Sequence, residues 1–168
     1  RYDPEYVSLV AEIDKLGFSG KGEAISWPVV VTHASSILAT KAKDIQAACY
    51  LAVALLERDG LPGLRDGLRI LNDLLRTFWE TAFPPLKRPR GRINALDWFR
   101  ERVLVRLQGM ENPDAVPAAL HEELLTLLAA LDDRIADVLP DAASLRELSA
   151  ALSRFPVSAP EALPETSA

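Results

Sequence analysis

Residues 44–59 place apolar side chains on nearly every side of a helix: Ile45, Ala48, Cys49, Leu51, Ala52, Val53, Leu55 and Leu56 leave no continuous polar face. Such a helix must be wrapped by other elements, because any side left in water exposes hydrophobic surface. That requirement predicts a multi-helix bundle with this segment at its middle. A chain of 168 residues is long enough for it, since a globule of this size buries roughly 70% of the surface its unfolded form exposes.

Periodicity and punctuation supply the surrounding helices. A first helix is predicted over 4–16, with Asp3 as N-cap, Pro4 in the first turn and Gly17 as the stop. A second, over 28–40, carries Val30, Val31, Ala34, Ile37 and Leu38 at helical spacing, which outweighs the strand-like Val29–Val31 triplet. After the central third helix, Gly60 and Pro62 interrupt the chain, and a fourth is predicted over 64–82. Gly63 and Gly67, four apart, allow a neighbouring backbone to come close there. Pro84, Pro85 and Pro89 force an extended connection. A fifth helix is predicted over 93–107 and a sixth over 115–139, the latter with a leucine stripe. A seventh, capped by Asp141, carries Leu145, Leu148 and Leu152 inward. The fold class is therefore all-α: a compact bundle of about seven helices over 1–155. The stretch 156–168, with Pro156, Pro160 and Pro164, is read as a proline-rich C-terminal tail, a flexible linker.

The residue inventory argues against an enzyme, and no cofactor is expected. There are two histidines. His121-Glu122 begins like the H-E-x-x-H zinc motif, but Leu125 stands where the second ligand is required. A single imidazole cannot hold a catalytic zinc, which takes three protein ligands. His33 flanks an apolar stripe and reads as a packing residue. The glycine-rich stretch 17–22 lacks phosphate-loop spacing, and Lys21 is followed by glycine rather than a hydroxyl residue. Cys49, the single cysteine, sits in the most apolar helix and reads as a core thiol. Asp133 and Asp137 share a helix face but read as solvated charges. No 18-residue apolar run encodes a membrane span. The lone cysteine fits a reducing compartment. The chain opens at Arg1 rather than Met and carries no leader pattern, so it is expected to be a piece of a longer protein.

Charge, by contrast, is strongly segregated. The net charge is −5, yet residues 86–108 hold seven basic groups and two acidic ones, while residues 109–168 hold three basic and eleven acidic. The centre of the basic block is Pro84-Pro85-Leu86-Lys87-Arg88-Pro89-Arg90-Gly91-Arg92. Lys87, Arg88, Arg90 and Arg92 repel one another unless they reach water, internal acceptors or an anionic partner. Four readings stand open: a solvated loop, guanidiniums forked onto helix C-terminal carbonyls or carboxylates, a docking site for an acidic protein surface, and a generic anion or nucleic-acid site. The last is disfavoured by the acidic overall balance. Trp27, Trp79 and Trp98 lie at helix ends beside apolar stripes and read as core anchors. Asp44, at the start of the central helix, is a structural anchor of the same kind.

The ordered set Arg1-Tyr2-Asp3-Pro4-Glu5-Tyr6, Ser26-Trp27-Pro28-Val29-Val30, Lys41 to Leu51, Gly60-Leu61-Pro62-Gly63-Leu64-Arg65-Asp66-Gly67-Leu68 and Phe78-Trp79-Glu80-Thr81-Ala82-Phe83-Pro84-Pro85 resembles the N-terminal domain of TssA/ImpA-type proteins of type VI secretion. The 84–98 stretch looks like the variant in VasJ-like members, and the resemblance extends to the TagA relatives. It covers residues 1–108. Tyr50 stands where the family often has Trp, and Ser26 where it often has Asp; both keep the same physical role. Residues 109–168 match no motif. What the resemblance implies is a cytoplasmic scaffold that helps organise baseplate, tube and contractile sheath through protein–protein contacts. The implied partners are proteins of those assemblies or of the membrane complex, and the full-length protein is expected to form a homo-oligomer.

Overall fold

In the computed structural model, residues 3–17 and 24–159 are described. Seven α-helices are found among them: α1 (Pro4–Asp14), α2 (Trp27–Thr40), α3 (Ile45–Asp59), α4 (Leu61–Thr77), α5 (Pro89–Gln108), α6 (Ala118–Val138) and α7 (Arg146–Ser153). A single 3-10 turn, Lys15–Gly17, extends α1. The all-α expectation is met. The glycine-rich stretch beyond Gly17, Lys21 included, and the tail from residue 160 lie outside the described residues.

Helix α3 is the axis of the molecule, as its all-round apolarity requires. Every residue from Ala47 to Leu56 is buried. One side, through Ala47, Tyr50, Leu51, Ala54 and Leu55, packs with Leu9 and Ile13 of α1 and Val30, Ala34 and Ile37 of α2. The other, through Ala48, Cys49, Ala52, Val53 and Leu56, belongs to a larger cluster reaching α4, α5, α6 and α7. Trp27 and Trp98, both half-buried, pack against both clusters.

Helix α4 approaches α3 so closely that only glycine fits at two points. A Cβ on Gly63 would lie 2.0 Å from the Leu55 carbonyl oxygen, and one on Gly67 would lie 2.6 Å from the Ala52 Cα. The close approach expected from the glycine pair is therefore present.

Several boundaries differ from the sequence reading, and proline chemistry explains most of them. Helix α4 begins at Leu61, three residues early, because Pro62 falls in its first turn, where the missing N–H has no partner to lose. It ends at Thr77, not at residue 82. Pro89 likewise opens α5 instead of prolonging the extended connection, so Arg90 and Arg92 are helical. Asp141 does not cap α7. The Leu145 N–H goes to the Asp132 carboxylate at 2.8 Å and the Arg146 N–H to the Ser144 hydroxyl at 3.1 Å, which delays the helix to Arg146.

A two-residue parallel pair, β1 (Val116–Pro117) with β2 (Val157–Ser158), was not anticipated. The Val116 N–H donates to the Pro156 carbonyl at 2.8 Å. Packed structure thus continues past residue 155 to Ser158, and the segment expected to be linker from 156 is ordered at its start.

Candidate protein-interaction site

The basic segment follows α4 through a connection whose path is fixed at several points. The Phe83 N–H donates to the Lys43 carbonyl at 2.9 Å, and the Ile45 N–H donates to the Phe83 carbonyl at 2.7 Å, forming a bridge between Asp44 and Phe83. Asp44, 4% exposed, caps α3 by accepting from the Ala47 N–H at 3.1 Å. The Phe83–Pro84 peptide is cis, and a turn in which the Arg88 N–H donates to the Pro85 carbonyl at 2.9 Å leads into α5.

Arg92 closes this loop from inside. Its side chain is fully buried, and its guanidinium donates to the carbonyls of Trp79 at 2.7 Å, Ala82 at 2.6 Å and Pro84 at 2.7 Å. The group also lies over the Trp79 indole, 4.3 Å from the ring centroid. Burial draws its pKa below the ordinary arginine value, and the Glu80 charge opposes that shift. An arginine nevertheless stays charged in proteins, and three carbonyl dipoles and a π-face are what make its burial tolerable. Arg92 therefore does not belong with Lys87, Arg88 and Arg90 as a surface contact. Of the four readings of the basic segment, the structure gives Arg92 the carbonyl-forking role.

Lys87, Arg88 and Arg90 are exposed. Beside them the apolar side chain of Leu86 is 44% exposed. Two clefts run along this loop. One, of about 340 Å³, is lined by Gln46, Tyr50, Phe83, Pro84, Gly91, Asn94, Ala95 and Trp98. The other, of about 720 Å³, shares Phe83, Pro84, Gly91 and Asn94 with the first and adds Arg88, Arg90 and Asp141 among its walls. The Tyr50 and Trp98 rings meet edge to face, centroids 5.0 Å apart at 83°. Tyr6 of α1 donates its hydroxyl proton to Gln46 Oε1 at 2.8 Å. Burial raises the Tyr50 phenol pKa, so it stays protonated. Gln46 and Asn94 carry no signature that sequence reasoning could have used; only the juxtaposition of α3 and α5 reveals them.

Apart from Trp79, which Arg92 ties to this loop, the remaining candidates sit elsewhere in the fold. Trp79 is 8% exposed and is anchored by Arg92. His33 Nδ1 lies 3.5 Å from the Glu5 carboxylate, and His121 Nε2 lies 2.9 Å from the Leu152 carbonyl. Cys49 is fully buried, and desolvation pushes its thiol pKa upward. Asp137 pairs with Arg134 at 3.3 Å. Among the described residues, no three His, Cys, Asp or Glu side chains converge to hold a metal ion, and no helix is long and apolar enough to cross a membrane.

The comparisons with known proteins agree with this architecture. Residues 1–101 match the model of the ImpA N-terminal family of the type VI secretion system. The chain is 34% identical over 120 residues to the type VI secretion system component TssA1 of Pseudomonas aeruginosa, a match covering 62% of this chain and 35% of that protein. It thus spans about a third of its curated relative. Its fold is similar to the N-terminal domain, including the conserved ImpA N-terminal region, of the TssA component from Burkholderia cenocepacia. That match has a TM-score of 0.73 at 20% identity and covers 90% of this chain and 81% of the other. With the family model spanning residues 1–101 of the 168, this chain belongs to the ImpA N-terminal family of type VI secretion TssA components.

Proposed function

We propose that this domain is a non-catalytic assembly module. It helps organise the baseplate, tube and contractile sheath of a type VI secretion system from the bacterial cytoplasm. Family membership supports the setting, and TssA1 is a component of that system. The observation that carries the reading is the segment 83–90, a loop that runs into the first turn of α5. It presents Lys87, Arg88 and Arg90 just beyond a backbone that the buried Arg92 ties down at Trp79, Ala82 and Pro84. Charge displayed next to a fixed backbone is what recognition by another protein rewards, because less freedom remains to be lost on binding.

Retention assays with the immobilised 168-residue chain and purified sheath, tube, baseplate and membrane-complex proteins test this role. At least one component is expected to be retained, and less of it after charge reversal at Lys87, Arg88 and Arg90. Retention by the full-length protein but not by this domain would place the assembly contact elsewhere.

A further inference from the structure

We infer that the groove formed by the two clefts beside the 83–90 loop receives an extended acidic segment of a partner protein. Its carboxylates would lie at Arg88 and Arg90, and a proline or leucine side chain against the rings below. The inference rests on the assembly role proposed above and names the chemistry of the occupant.

Charge complementarity is the first support. Several arginines elsewhere on the surface are matched: Arg58 pairs with Asp59, Arg69 with Glu123, Arg106 with Glu57 and Arg134 with Asp137, whereas the exposed Arg146 and Arg154 stand singly, without an ion pair among the described residues. Among the described residues Lys87, Arg88 and Arg90 make no ion pair, although they stand within four positions of one another. Asp141 is the one acidic side chain lining the groove. Three unmatched cations on a preformed loop favour carboxylates brought by something else.

The floor argues for a peptide. Phe83, Pro84 and Trp98, each half-buried, offer ring surfaces of the type that grips extended proline-containing segments. An extended backbone also brings unpaired N–H and C=O groups. Asn94 is exposed, and Gln46 has its oxygen occupied by Tyr6, which leaves its amide N–H groups to donate. Nucleic acid fits less well. Stacking of bases needs open ring faces, whereas Tyr50 is 8% exposed and meets Trp98 edge-on.

Titration of the isotope-labelled 168-residue chain with a synthetic peptide of alternating glutamate, leucine and proline tests the inference by nuclear magnetic resonance. The controls are the same peptide with glutamine for glutamate and a thymidine oligonucleotide. The Trp98 indole N–H and the Asn94 and Gln46 side-chain amides are expected to shift with the acidic peptide. The double variant Arg88→Glu/Arg90→Glu is expected to weaken binding about tenfold, and added salt to weaken it in the same direction. Both substitutions are at exposed positions, so an unchanged amide spectrum confirms that the variant is folded. The inference is overturned if those signals stay still, if the glutamine peptide binds as well, or if the oligonucleotide binds the groove more tightly. Should an apparatus protein be retained equally by the wild type and the double variant, the groove assignment falls and the assembly role stands. Peptide binding without retention of any apparatus protein supports the groove and removes the assembly role.

Discussion

The guanidinium of Arg92 and the indole of Trp79 are stacked with 4.3 Å between the guanidinium carbon and the ring centroid, and the same guanidinium donates to the Trp79 backbone carbonyl at 2.7 Å. One side chain thereby joins the first turn of α5 to the chain leaving α4. Through Ala82 and Pro84 it also fixes the loop that carries Lys87, Arg88 and Arg90. A cation from the basic block has become the internal support for the others.

Arg92→Ala should therefore cost about 4 kcal/mol, since it strands three carbonyls that had a charged donor. For a chain of this size that corresponds to a melting temperature lower by roughly 10 °C. Arg92→Lys keeps the charge but not the planar fork and should fall between the two. Thermal unfolding followed by circular dichroism measures both. Equal stability of the alanine variant and the wild type would contradict the supporting role.

The α3–α4 contact makes a separate prediction. Alanine is ordinarily a better helix former than glycine by about 1 kcal/mol, so Gly67→Ala would stabilise an open helix. Here the new methyl would meet the Ala52 backbone at 2.6 Å, and overpacking of this kind costs about 1–3 kcal/mol. Net destabilisation in urea unfolding is expected. Gly63→Ala, aimed at the Leu55 carbonyl oxygen from 2.0 Å, should be worse.

Much of this arrangement was legible in the sequence. Residues 44–59 announced a central helix because no polar face was left, and α3 is central. Gly63 and Gly67 announced a close backbone. The ambiguities lay where one residue type serves two purposes. Proline both ends and begins helices, so Pro89 reads as extended chain in the sequence although it opens α5. Arginine both coats surfaces and satisfies carbonyls, so Arg92 read like its exposed neighbours; nothing within the run Lys87–Arg92 marks the inward position. The β1–β2 pair depends on residues more than forty apart, Val116 and Val157, and two residues per strand carry no period to detect. Gln46 and Asn94 meet only after α3 and α5 have packed.

Cys49 should be chemically silent in the folded protein. It is fully buried among apolar neighbours, and burial together with the Asp44 charge raises its thiol pKa, so the reactive thiolate is suppressed. Mixed with a thiol reagent at pH about 8, near the ordinary thiol pKa, the native chain should label only as fast as it opens. Labelling should be immediate in denaturant. A native rate matching that of the unfolded chain would place the thiol at the surface.

Glu12 links α1 to the start of α2 and gives the fold an acid-sensitive joint. Its carboxylate, 9% exposed, accepts from the Ser26 N–H at 2.6 Å and pairs with Lys15 at 2.9 Å. The Ser26 N–H is the main cause holding its pKa below the ordinary 4.5, with Lys15 adding to it against the opposing effect of burial. A carboxylate depressed in the folded state contributes stability that is fully present above the unfolded value and fades as pH falls through the folded one. Glu12→Gln preserves an acceptor for Ser26 but not the charge. At pH about 7 it should lower stability by about 1 kcal/mol, the difference between a charged and a neutral hydrogen bond. As the pH falls from 4.5 through the lower folded-state value the wild-type side chain also becomes neutral, and the two unfolding curves should converge. Asp3 and Glu5 have lowered pKa values as well, but they are common to both proteins and cancel in the difference. Urea unfolding at a series of pH values measures that difference directly, and a gap that stayed constant into strong acid would show that the Glu12 charge does not stabilise the fold.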